Sequence, residues 1–539
     1  MTDTTSDLRT VRGRAPLFRR AVLTACLLSM APLGMAATLR IDNGAEPGTL
    51  DPQKTSGTWE TRIVRELFET LISHDAKGNL VPGLASGWQL SDDGLILTLE
   101  LRDGATWSDG QPVTAGDAVF SLRRLLSPET AAHNANLYYP IKNALAVNAG
   151  EADPEMLGVR AIDDRHLEVR LERPTAWFLQ ALAMPEAAPL PEHAMTDDSE
   201  RWVVPGETVV SGPFTLSEWS PQDHITLDKN EHYYDANEVA LDEVILYPLE
   251  EATAALNRFR TGALDISYTS VPGGRLEQLR QELGNALRVS PLVAQYFYMF
   301  NLRPDSPLSD IRVREALNLA TRREVITDQL LGMGQTPSYW LVPRVTHGGT
   351  KGEMPMVQMT MDERMTRARE LMKAAGFGPD TPLTLTLRYN TLEDHKKIAV
   401  ALAAMWKPLG VEMSLVNTEA TSHYAAIREG DFQLARYGMV ATIDDPYDFL
   451  GSYTTGGSAA ISSGYHDERF DQLVEQSSET IAPDARAELL TRAQQRLLDD
   501  YALLPLYDYI NTALVSERVH GWEPSPMDVH PLRYISIKE

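Results

Sequence analysis

The clearest alternation of polar and apolar positions lies between Trp88 and Leu126. Leu95, Leu97, Leu99 and Leu101 recur every second residue, the period of a strand with one buried face. Asp92-Asp93-Gly94 and Asp103-Gly104 supply turns around it, so a β-meander is predicted. Thr114-Ala115-Gly116-Asp117 has the form of a capping box, and Val119, Phe120, Leu122 and Leu126 behind it mark the inner face of a helix. Farther on, Leu383, Leu385 and Leu387 alternate; Ile398, Leu402, Met405, Trp406 and Leu409 share a helical face that ends near Gly410; and Val411, Met413 and Leu415 alternate again. Strand, helix and strand in that order predict a βαβ unit, which needs a parallel sheet and a right-handed crossover, hence α/β architecture. Helical spacing assigns Met405 and Trp406 to the core rather than to ligand stacking. Helices are also predicted over 313–331 and 364–375, the second stopped by Gly376, and 342–356 reads as a long surface loop.

A chain of 539 residues exceeds the roughly 250–300 that one hydrophobic core supports, so at least two lobes are expected. Its first 37 residues differ from the rest. Arg9, Arg12, Arg14, Arg19 and Arg20 precede an uncharged apolar run from 21 to 33, followed by Gly34-Met35-Ala36-Ala37. That is the pattern of a signal peptide cut near Ala36, which predicts a periplasmic protein. Arg19-Arg20 leaves both the general and the twin-arginine export routes open. The lone cysteine, Cys26, lies in Leu23-Thr24-Ala25-Cys26, which superficially fits a lipoprotein box. Only two apolar residues separate it from Arg20, too few for the required apolar stretch. Cleavage near Ala36 removes the thiol, so no disulfide, thiolate metal site or thiol nucleophile is expected. It also leaves 44 basic and 73 acidic residues, a formal charge of −29. Such a charge repels phosphate backbones, excludes nucleic acid as a partner and favours a soluble monomer.

No sequence pattern of a nucleophile elbow, zinc protease, phosphate loop or calcium loop occurs, and the twelve histidines are scattered without metal-ligand spacing. Neither catalysis nor a cofactor is predicted.

Other residues carry a resemblance. Gly48-Thr49-Leu50-Asp51-Pro52, Leu84-Ala85-Ser86-Gly87-Trp88, 101–110 with Trp107-Ser108-Asp109-Gly110, and Pro112-Val113-Thr114-Ala115 with Asp117 follow one another near the start. Ser211-Gly212-Pro213-Phe214, Asn230 with Tyr233, Asp310-Ile311-Arg312-Val313-Arg314, Ala374-Ala375-Gly376-Phe377 and Tyr389-Asn390-Thr391 with His395-Lys396-Lys397 continue the series. Together they resemble the family 5 extracellular solute-binding proteins, the oligopeptide and dipeptide type that serves ATP-driven importers, over essentially the whole chain after residue 36.

The resemblance implies a large, type II periplasmic-binding-protein fold with two lobes and an extra subdomain. Lobe I would comprise 37–68, 192–293 and 510–539, the extra subdomain 69–191, and lobe II 294–509, with the crossings near 294 and 509 as hinge. It implies a peptide or peptide-like ligand, held as an extended strand in the cleft, and an inner-membrane ABC permease complex as partner. The matching segments are Ser56, Gly57 and Thr58; Ala294, Gln295, Tyr296 and Phe297; and Gly438, Met439 and Val440, whose alternative is ordinary strand or loop structure. His395 and Arg436 match cationic positions that meet the ligand carboxyl end, unless Arg436 pairs with a neighbouring acid such as Asp431. The main departure is Thr442, which stands where peptide-binding relatives carry an aspartate for the ligand amine. Leu330 and Ala420 likewise stand where an enterobacterial relative has lysine and tryptophan. A buried ammonium left without its counter-charge costs about 3–5 kcal/mol. Either Asp444 or another acid replaces the missing carboxylate, or the ligand lacks a free amine at that place.

Overall fold

A computed structural model describes residues 36–195 and 202–538; the expected signal peptide falls outside the described residues. The chain enters through β1 (Thr38–Asp42) and α1 (Thr58–Leu67). It then builds a separate antiparallel sheet from β2 (Ala85–Leu90), β3 (Ile96–Leu101), β4 (Val159–Ala161) and β5 (His166–Arg170), in the order β2-β3-β5-β4. The capping box predicted at Thr114 is present: Thr114 Oγ1 accepts from Asp117 N, Asp117 Oδ2 accepts from Thr114 N, and α2 (Ala115–Leu125) follows.

The main sheet collects the rest. It uses β6 (Phe214–Ser220), β7 (His224–Lys229), β8 (Glu243–Tyr247), β9 (Ile266–Ser267) and the long β10 (Leu287–Phe300). After α3 (Ile311–Ala320) and α4 (Met361–Ala374) come β11 (Leu383–Asn390), α5 (Glu393–Trp406), β12 (Val411–Thr418) and β13 (Leu434–Val440). The short α6 (Pro446–Leu450), α7 (Pro483–Asp499) and the long β14 (Leu503–Val515) complete it. The strand order is β12-β11-β13-β10-β14-β9-β1-β8-β7-β6. β10 and β14 are the centre of this order. They pair antiparallel from Leu287 opposite Leu514 to Met299 opposite Leu503, and so connect the two halves of the sheet.

Apolar burial divides along the same lines. One core joins Leu39, Ile41 and Leu67 to Phe214, Leu246 and Ile266 and to Val515, Leu532 and Ile535. A second lies under the small sheet, from Leu71 to Ala187, and includes Ile443 from far along the chain. Two more fill the region between Val293 and Tyr507 on the two faces of the main sheet.

The predicted βαβ unit is present, with β11 and β12 parallel from Leu383 opposite Val411 to Asn390 opposite Thr418. Trp406 is fully buried and its Nε1 donates to Leu317 O at 3.0 Å, the core role expected of it. The alternation in β12 serves less burial than predicted: it is the edge strand, and Leu415 is exposed. The single helix expected over 313–331 is two. α3 stops at Thr321, which is extended (ψ 119°), and a π-helical segment, Val325–Leu331, follows. The buried Arg323 gives the cause. Its guanidinium donates to Pro505 O at 2.7 Å and to Asn318 Oδ1 at 2.9 Å, which takes the side chain inward where a continuous helix would not place it.

Candidate functional site

β13 leaves the sheet's interior part-way along its length. Leu434 and Ala435 pair with β11, whereas beyond them only β10 lies beside it, opposite Arg436 to Val440. Among the described residues, the other edge of Tyr437, Gly438, Met439 and Val440 has no strand partner, and Val440 is exposed. A free strand edge offers main-chain donors and acceptors to an extended ligand. Gln295, Tyr296 and Phe297 offer no such edge, which corrects the expectation that they meet a ligand through their backbone, and Ala294 is paired on its β13 side only. Gln295, Tyr296 and Phe297 lie opposite Met439, Gly438 and Tyr437 on one side and Asp508, Tyr507 and Pro505 on the other. All four candidates are fully buried.

At the start of the free edge sits Arg436, 7% exposed. Its Nη1 donates to Tyr424 OH at 2.8 Å and Asn390 Oδ1 at 3.3 Å, and Nη2 donates to Tyr509 OH at 2.7 Å. The guanidinium carbon lies 4.8 Å from the centre of the Tyr296 ring, so Tyr296 supports the site through its side chain. Arg436 has no carboxylate within ion-pair distance among the described residues, and its Nε has no partner. Asp431 pairs instead with Arg388, at 3.4 Å. Gly438 provides room: a Cβ there would lie 3.0 Å from both Arg436 Nη2 and Tyr509 OH.

His395 lies beside this cluster, its Nδ1 3.3 Å from Tyr296 OH. Burial first, then the charges of Arg436 and His423, push its pKa down to about 3. It is a neutral imidazole at physiological pH, not the second cation expected from its motif.

At the opposite end of the edge, Ser56, Gly57, Thr58, Thr442 and Asp444 line one cavity. Glu60, behind the lining, braces it: Oε2 accepts from Ser56 N at 2.8 Å and Gly57 N at 3.0 Å, while Oε1 accepts from Gly48 N at 2.9 Å. This carboxylate folds the Gly48-Thr49 and Ser56-Gly57 segments against the start of α1. A second cavity, sharing Thr442, runs along Gly438, Met439 and Val440 and is walled by Trp177, Tyr447 and Asp448. The two cavities meet at Thr442, and the second lies along the β13 edge.

Asp444 accepts from His347 N at 2.8 Å, and burial raises its pKa. Sequence reading missed Asp448, whose Oδ2 accepts from Thr442 N at 2.7 Å. Burial pushes its pKa up to about 7, against the N–H donors of Thr442 and Ile443 and with added repulsion from Asp445. Asp445 itself is engaged in a buried two-pronged pair with Arg486, at 2.7 and 2.8 Å. Tyr424, Tyr509, Glu60 and Asp448 carried no sequence signal, because each acquires its role from a partner brought near by folding.

The profile of the bacterial extracellular solute-binding proteins, family 5 (middle part), matches residues 79–460. The chain belongs to this family. As a family 5 solute-binding protein it is 35% identical to the periplasmic oligopeptide-binding protein OppA of Salmonella typhimurium, over 91% of each chain. It is 34% identical to the probable deoxycholate-binding periplasmic protein YgiS of Escherichia coli, over 94% of each chain. The periplasmic murein tripeptide binding protein MppA in its unliganded open form superposes with a TM-score of 0.82 at 34% identity, covering 94% of this chain and 99% of that one. The two-lobed type II architecture of these proteins is therefore the architecture of this family 5 member.

Proposed function

We propose that this protein is the periplasmic binding component of an ABC importer, holding a peptide or peptide-like ligand unchanged in the cleft along β13. In this reading lobe I is 37–68, 192–293 and 510–539, the extra subdomain 69–191 and lobe II 294–509; the membership of the cores supports those boundaries. β10 and β14, which run from one lobe into the other, are the hinge. The ligand strand lies on the free edge at Gly438–Val440, with its carboxyl end at Arg436. The monomeric protein works in the periplasm after loss of the first 36 or so residues and delivers its ligand to an inner-membrane permease complex.

The observation that carries this is Arg436, a nearly buried cation with no acid partner among the described residues, at the beginning of an unpaired strand edge. A carboxylate is the strongest partner for a buried guanidinium, and Arg436 differs from the buried Arg323, whose Nε and both Nη atoms donate to Pro505 and Asn318, in leaving its Nε without a partner. The test is mass spectrometry of ligand carried through purification and released by denaturation. A peptide or peptide conjugate is expected; an uncharged solute with no carboxylate would overturn the role given to Arg436.

A second reading, a modified peptide or non-peptide solute lacking a free amine, is favoured by Thr442, and a deoxycholate-binding relative is compatible with it. The acids near Thr442 decide between the two. Asp444 and Asp448 each accept one backbone N–H, and burial raises the pKa of both, so each holds a negative charge less readily than an exposed carboxylate.

A further inference from the structure

The extra subdomain and lobe II, as assigned above, already touch across the cleft. The Trp177 and Tyr447 rings stack with centres 5.1 Å apart and planes at 19°. Next to them Ala176 N donates to Ser478 O at 3.0 Å. Ile443, from lobe II, is 2% exposed and belongs to the apolar core of the extra subdomain. The lobe II side of this contact is rigid. Arg486 on α7 clamps Asp445 with both Nη atoms and donates from Nε to Ser477 O at 3.1 Å, which ties the 443–447 segment to 477–478.

From this we infer a built-in latch. Trp177, Tyr447 and Ile443 hold the extra subdomain on lobe II in the absence of ligand, so that the cleft is partly assembled before ligand arrives. A ligand can shift a conformational equilibrium only by its differential affinity for the two states. Contacts made without it move the starting point toward the binding-competent form and raise apparent affinity in proportion to that form's population.

The proposal rests on the lobe assignment but not on the identity of the ligand, and its test uses the ligand-free exported protein. Tyr447→Ala is suitable because the Tyr447 ring is only partly buried at the margin of the cores it packs against, so its truncation removes less packing than loss of the buried Trp177. Hydrogen exchange of the peptide containing the Ala176 amide is expected to quicken about two- to tenfold, the loss of one aromatic pair expressed as an equilibrium. The radius of gyration should rise, and Tyr447→Phe should behave as wild type in both measurements. Unchanged exchange and unchanged radius in both Tyr447→Ala and Trp177→Ala would overturn the latch. If released ligand proves not to be a peptide while exchange still quickens, the latch stands and the peptide reading alone fails.

Discussion

Arg436 defines one end of the site through its surroundings: three oxygen acceptors, a tyrosine face and, among the described residues, no acid. If it receives a ligand carboxylate, Arg436→Ala weakens binding of a free peptide by about 1.5–3 kcal/mol, roughly ten- to a hundredfold. The same peptide amidated at its C-terminus should lose much less, and calorimetry on both pairs isolates the coupling. Equal losses would make Arg436 structural. At the other end, a threonine hydroxyl accepts a hydrogen bond from an ammonium but does not neutralise it. N-acetylation of the ligand should therefore cost little, and Thr442→Asp should shift preference toward free amines in competition titrations. Tight binding of a free tripeptide with rejection of its acetylated form would sink this, pointing to Asp448 or Asp444 as a relocated carboxylate. Arg436, His395 and Thr442 were legible because a motif surrounds each. The charge state of His395 was not, because it follows from burial and from Arg436 and His423, residues far away in sequence.

Among elements, period and punctuation told most. The βαβ unit from Leu383 to Thr418 has clean alternation and a helix ended by Gly410, and it folds as read. The break after Ala320 was invisible because it depends on where the Arg323 guanidinium finds carbonyl oxygens, not on a local breaker. Gln295 to Phe297 misled for a related reason: residue pattern gives a strand but not its neighbours, and here both sides are occupied. Gly410 makes an element-level test. Its φ is +78°, and a Cβ would come within 2.3 Å of Gly378 C. Gly410→Ala should lower stability by about 1–3 kcal/mol in urea denaturation. It should leave ligand preference unchanged, since His395 lies at the other end of α5 from that turn. A change in preference without a loss of stability would contradict the account.

On the scale of the whole molecule, ligand should compact the protein, because a cleft between two lobes gains contacts only when both close on it. Small-angle scattering at saturation measures this, and an unchanged radius with a tight ligand would argue against closure. Stability should also depend on pH through Glu66, where burial pushes the carboxyl up to about 8 from an ordinary 4.5, opposed by the Leu532 N–H and Arg533. The folded state holds this proton more tightly than the unfolded chain. Over that window Glu66 therefore subtracts stability as pH rises, and its contribution is lost as pH passes through 8. Glu66→Gln should flatten the fall in melting temperature between about pH 5 and 8; an identical slope would remove Glu66 as its source.

The partners of Glu66 have a further consequence, for the order in which the chain can fold. Leu532 donates its N–H to Glu66, Arg533 reaches Glu69, Tyr233 and Ser73, and Leu532 and Ile535 seal the core begun by Leu39 and Ile41. The first core is thus completed by residues that lie more than 460 positions along the chain from Glu66. Until the segment after β14 is in place, residues 38–67 have no finished core to enter. Closing that gap brings together residues separated by more than 460 positions, a slow step in any refolding reaction. Truncation before Leu532 should trap the early segments in an exchange-competent state even where the Leu383–Thr418 unit is already protected.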